Sequence, residues 1–196
     1  ILGGILGILC NALLFFMKLF AGIISGSIAI LSDAFNNLSD MGASLVSLLG
    51  AKISGLCADE DHPYGHGRAE YISSLIVAML ILFVGQELLI SSVRKMLHPS
   101  EVSIGLFSIL LLFLSLIVKF WMWCYNRYLG RAIQSEVLLA AAKDSINDCL
   151  ATGAVLLSAF LSPIASFPLD GIMGLLVSCL ILWSGFRIAW DTIHQL

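Results

Sequence analysis

Long apolar runs alternate with short polar breaks along this chain, and the runs are of membrane-spanning length. Six spans are predicted, at 1–24, 28–52, 69–95, 103–125, 132–161 and 168–194. About 20 residues at 1.5 Å each cross the hydrocarbon of a bilayer, so every run is long enough. The breaks are "SGS" (25–27), "GLCADEDHPYGHGRAE" (55–70), "LHPSEVS" (97–103), "NRYLGR" (126–131) and "SPIASFP" (162–168). Connections this short make sequential helices antiparallel neighbours, so the pattern predicts an all-α bundle. Two of the runs violate their own pattern. The second holds "SDAFNNLSD" (32–40) and the fifth holds "KDSINDC" (143–149).

Composition supports the membrane reading. Of 196 residues, 59% are hydrophobic and 12% charged, and the mean hydropathy is +1.00. A soluble domain is about 25% charged. The expected surroundings are a lipid bilayer, and the net charge of −3 argues against nucleic acid as a partner. Lysine and arginine set the orientation. Lys52, Arg68, Arg127, Arg131 and Arg187 fall on one side of the bundle, against Arg94 and Lys95 on the other, which predicts that both termini are cytoplasmic. The five cysteines are scattered without pairing, mostly in apolar runs, and suggest no disulfide framework. The first residues carry no basic n-region and do not read as a signal peptide. The chain begins inside its first helix and stops abruptly at "WDTIHQL", so a further domain is expected after it.

The carboxylates in the second and fifth spans carry the chemistry. Residues i and i+4 share a helix face. Asn36 and Asp40 therefore project together from the second span, and Asp144 and Asp148 from the fifth. A charged aspartate at mid-bilayer costs at least about 2.5–3.5 kcal/mol; three need offsetting, and a divalent cation would neutralise two of the charges while using the oxygens. The plainer reading of a single aspartate is a hydrogen bond to a neighbouring helix. Asp33 reads either that way or as a helix cap. Lys143 points away from the Asp144/Asp148 face, and Lys143 and Lys18 are expected to snorkel or to line a polar cavity. The four donors are all oxygens, which suit hard cations, whereas zinc sites more often recruit imidazole or thiolate. Mn(II) leads as the ion, with Zn(II) or Fe(II) behind. Cys149 lies about 100° around the helix from Asp148. An empty group of close carboxylates cannot stay fully ionised in a low dielectric, so protons are expected to replace a departing metal. Asn36 does not titrate, which leaves Asp40, Asp144 and Asp148 to carry them.

"SDAFNNLSDMGASLVSLLG", "DEDHPYGHGRAEY" and "AAAKDSINDCLATGAVLL", in that order over six spans, resemble the cation diffusion facilitator family of divalent-metal transporters. The resemblance covers nearly the whole chain, and the "HPYGHGRAE" loop is its most specific part. It implies a six-transmembrane-helix bundle, usually followed by a cytoplasmic ferredoxin-like domain, working as a homodimer in the membrane, here expected to be a bacterial cell membrane. It implies metal efflux in exchange for protons by alternating access, with no resident cofactor. The family's transport site maps onto Asn36, Asp40, Asp144 and Asp148, with Asn37 placed to support or substitute. Zinc-transporting members typically carry a histidine in this set and this chain has none, which resembles the manganese-exporting branch. Some relatives bind a second metal through an aspartate and two histidines, here Asp59, His62 and His66. Pro63 keeps His62 out of a helix, and Gly65 and Gly67 allow tight turning. The alternative is that this loop caps and positions the third helix, with Arg68 and Glu70 in local ion pairs.

Smaller features complete the reading. The tryptophans at 121, 123, 183 and 190 read as interface anchors, Asp170 as the cap of the sixth helix, and Gln86 and Glu87 as lining either a dimer seam or a polar cavity. Two rival functions are weighed. An intramembrane aspartyl protease needs a dyad sharing one proton, whereas the aspartates here pair within one helix and no GxGD sequence is present. A passive channel usually assembles rings of charge from several subunits, whereas one chain here supplies the whole set.

Overall fold

The computed structural model describes residues 2–53, 67–99, 105–161 and 168–195. They form α1 (Leu2–Ser25), α2 (Ile28–Ile53), α3 (Gly67–Leu97), α4 (Leu106–Ala132), α5 (Glu136–Leu161) and α6 (Leu169–Gln195), with no strand among the described residues. The helices are 24 to 31 residues long, or about 36–46 Å at 1.5 Å per residue, enough for about 30 Å of hydrocarbon with tilt or overhang. α1, α3, α4 and α6 are apolar enough to cross a membrane by length and composition. α2 and α5 are long enough but carry the carboxylates.

Side chains sort as lipid requires. Phe16, Phe20, Phe83, Tyr128 and Trp183 face outward, while Ala21, Ile30, Leu112, Val155 and Ile181 form the packed interior. The interior also holds Lys18, Asp33, Asn37 and Lys119, all nearly inaccessible. A bilayer reverses the soluble arrangement, because polar groups have no partner in lipid and must find one inside the bundle. α2 is the central helix and packs against α1, α3, α5 and α6; α4 pairs with α5 and α1.

Small residues let the helices approach closely. A Cβ on Gly185 would lie 2.9 Å from Ile81 and one on Gly85 would lie 3.0 Å from Leu182, so the α3–α6 seam is closed from both sides by absent side chains. Gln86 and Glu87 are exposed on α3.

Two sequence expectations are corrected. "NRYLGR" is not a connection: α4 runs through it to Ala132, and the turn follows at 133–135, where Ser135 N–H donates to Gly130 O and Gln134 takes φ 52°. Loss of apolar character marks where a helix leaves lipid, not where its hydrogen bonding ends. Gly130 then allows the start of α5 to pack beside it, with a Cβ there falling 3.1 Å from Leu139. Asp170 caps a different helix from the expected one. It sits in the first turn of α6, but its carboxylate accepts from Ile28 N–H (2.9 Å) and from the Ser27 hydroxyl, at the start of α2. Lys95 of α3 lies 2.9 Å from Asp170 and donates to Gly26 O at 2.5 Å. Gly26 adopts φ +64°, the left-handed conformation that ends α1, and Ser27 Oγ accepts from Ile30 N–H at 3.1 Å as the N-cap of α2. One carboxylate and one ammonium thus tie the α1–α2 turn to α3 and α6.

Candidate functional site

Two polar groups lie along the α2–α5 contact. In the first, Asn36 Nδ2 donates to Asp148 Oδ1 at 2.7 Å, joining α2 to α5. The other oxygen of Asp148 is 2.5 Å from Lys119 Nζ of α4. The same ammonium lies 3.4 Å from Asp40 Oδ2 and donates to Asn11 Oδ1 of α1 at 2.7 Å. Four helices therefore meet on one charged nitrogen. The Lys119 side chain is 1% exposed, that of Asp148 11% and that of Asp40 27%, so the group is open on the Asp40 side.

The second group is closed. Lys18 of α1 is 2.8 Å from Asp33 Oδ2 and donates to Thr152 Oγ1 at 2.8 Å, while Thr152 donates to Asp33 Oδ1 at 3.2 Å. All three residues are fully buried. Thr152 is four residues after Asp148 on α5, and Asp33 is three before Asn36 on α2, so this triad stacks about one turn from the first group. Lys18 neither snorkels nor lines an open cavity, and Asp33 is no cap. Each is the other's counter-ion, which low dielectric demands.

The structure joins three of the four expected ligands: Asp40 and Asp148 share Lys119, and Asn36 donates to Asp148. Asp144 stands exposed on α5, one turn before Asp148 and outside the group. Among the described residues, no three histidine, cysteine, aspartate or glutamate side chains converge as a ready metal cluster. Asn37 is buried and turned back on its own helix, donating to Asp33 O at 3.1 Å. Cys149 points to the Leu116 carbonyl of α4 rather than to the carboxylates. Lys143 is exposed. Asp59, His62 and His66 lie outside the described residues, as do the side chains of Arg68 and Glu70.

Sequence reasoning missed Lys119 and Asn11. Lys119 showed the same signal as the aspartates, a charge inside "LSLIVKFWMW", whereas Asn11 showed only one amide in an apolar run. Chemically, the first group offers oxygen donors from two carboxylates and two amides beside one resident cation. Such a set suits a hard divalent ion better than a soft one.

Comparison with known proteins agrees with the fold. The family of the cation efflux transmembrane domain matches residues 4–196. The uncharacterized transporter YdbO of Bacillus subtilis is 32% identical over 194 residues, 99% of this chain and 67% of its own length. The uncharacterized transporter MJ0449 of Methanocaldococcus jannaschii is 30% identical over 192 residues, 98% of this chain and 68% of its own. The manganese efflux system protein MneS of Bacillus subtilis is 28% identical over 194 residues, with the same coverage as YdbO. The match to the cation efflux transmembrane domain spans nearly the whole chain of long, mostly apolar helices: the protein belongs to the cation efflux, or cation diffusion facilitator, family of multi-pass membrane transporters, which move divalent cations and are not enzymes.

Proposed function

We propose that this chain exports Mn(II) from the cytoplasm in exchange for protons, by alternating access, with the ion held between α2 and α5. The observation that carries the reading is the meeting of Asn36, Asp40 and Asp148 at one point of the α2–α5 contact, as an all-oxygen donor set without imidazole or thiolate. Asp144, one turn away on the exposed side of α5, is the fourth ligand and is recruited as the helices shift. The relative named as a manganese efflux system supports the choice of ion. Protons take the carboxylate oxygens when the metal leaves. The working unit is a homodimer.

Flux in proteoliposomes tests this. Mn(II) uptake should saturate, respond to an imposed pH gradient and be outcompeted poorly by Zn(II), Fe(II) or Co(II). Unsaturating, proton-independent flux would make the protein a channel, and stronger competition by Zn(II) or Fe(II) would reassign the ion.

A further inference from the structure

The transport position has a cation of its own. Lys119 Nζ is held by Asp148, Asp40 and Asn11 at 2.5, 3.4 and 2.7 Å, from α5, α2 and α1. Both oxygens of Asp148 are engaged, one by this ammonium and one by the Asn36 amide. A metal ion placed on Asp148 and Asp40 would stand within a few ångströms of a buried positive charge, a repulsion worth much more in a low dielectric than in water. The ammonium and the metal therefore compete for the same oxygens.

We infer that Lys119 is a tethered competitor for the transported cation: its ammonium holds the Asp40–Asp148 pair until a divalent ion displaces it, and its return helps expel that ion. The inference rests on the metal position proposed above. Three features of the surroundings support it. Lysine is a compact point charge on a flexible four-carbon stem, able to withdraw without moving its helix. Asn11 offers an acceptor that the metal does not need, so the displaced nitrogen keeps a hydrogen bond. The other two buried lysines are already neutralised, Lys18 by Asp33 with Thr152 as brace and Lys95 by Asp170, so neither takes over the same carboxylates. Without a competing charge the carboxylates would hold a divalent ion more tightly and release it more slowly. A built-in competing charge weakens binding to a level compatible with turnover. Lys119 acts here as a positioning and affinity-setting residue, since it does not touch the metal.

The test is calorimetric titration of the purified protein with Mn(II), comparing wild type with Lys119→Gln, Lys119→Arg and Asp148→Asn. Lys119→Gln keeps hydrogen-bonding capacity and removes the charge, and should tighten Mn(II) binding by about tenfold or more while slowing transport. Lys119→Arg keeps the charge and should restore wild-type affinity. Unchanged or weaker binding in Lys119→Gln, with Asp148→Asn still losing Mn(II), overturns the competitor role and leaves the metal position standing. Wild-type binding in Asp148→Asn overturns the metal position itself. Should the Lys119 variants fail to fold, a structure of the wild-type protein loaded with Mn(II) decides. Nζ is expected beyond about 4 Å of Asp148, the outer limit of an ion pair. An undisplaced ammonium beside a bound metal would overturn the inference.

Discussion

Among the described residues, Asp40 and Asp148 differ from the other aspartates in sharing one ammonium across three helices. Removing either carboxylate takes away an anionic donor and leaves Lys119 less compensated. Asp40→Ala is expected to abolish Mn(II) transport in proteoliposomes, and so is Asp144→Ala; wild-type rates in either would remove that residue from the site. Asn36→His places an imidazole beside Asp148 and should shift competition towards zinc, while unchanged relative affinities would mean that this position does not select. The Lys18–Asp33 pair tests a different role, since it is closed and fully buried. Lys18→Met alone should destabilise the fold by about 3–5 kcal/mol in chemical unfolding, and Lys18→Met with Asp33→Leu should recover most of that loss. These four charged positions were visible in the sequence as charges in apolar runs. Their division into an open group around Lys119 and a closed Lys18–Asp33 brace was not, because i, i+4 spacing fixes a face but does not say which helix the face meets.

Among the elements, α3 and α6 are held by close approach and α2 is anchored at its start by other helices. Gly185→Leu should push α3 from α6, since even a Cβ there falls 2.9 Å from Ile81. A loss of about 1–3 kcal/mol is expected from overpacking, read as a lowered unfolding midpoint in detergent, and an unchanged midpoint would mean the seam is slack. Asp170 bonds the first turn of α2 from α6, so Asp170→Ala should cost about 1–2 kcal/mol as a lost cap, with the buried Lys95 partner lost in addition. Helix existence was legible from run length alone. The end of α4 was not: polar residues from Asn126 onward read as a break, yet they hydrogen-bond along the backbone as well as apolar ones until Gln134 turns the chain.

For the whole molecule, the bias of lysine and arginine between the two sides predicts the orientation, with both termini cytoplasmic. On a cysteine-free background, a membrane-impermeant maleimide added outside should label His98→Cys and leave Arg131→Cys untouched, and the opposite pattern would invert the bundle. Hydrophobicity by itself determined that this chain lies in a membrane, how many helices it forms and that the second and fifth hold carboxylates, because lipid penalises every unpartnered charge and so makes each one conspicuous. Only the tertiary arrangement decided which charges neutralise one another. It paired Lys18 with Asp33, brought Lys119 of α4 onto carboxylates of α2 and α5, and left Asp144 exposed, since these contacts depend on how helices distant in sequence rotate and pack around α2.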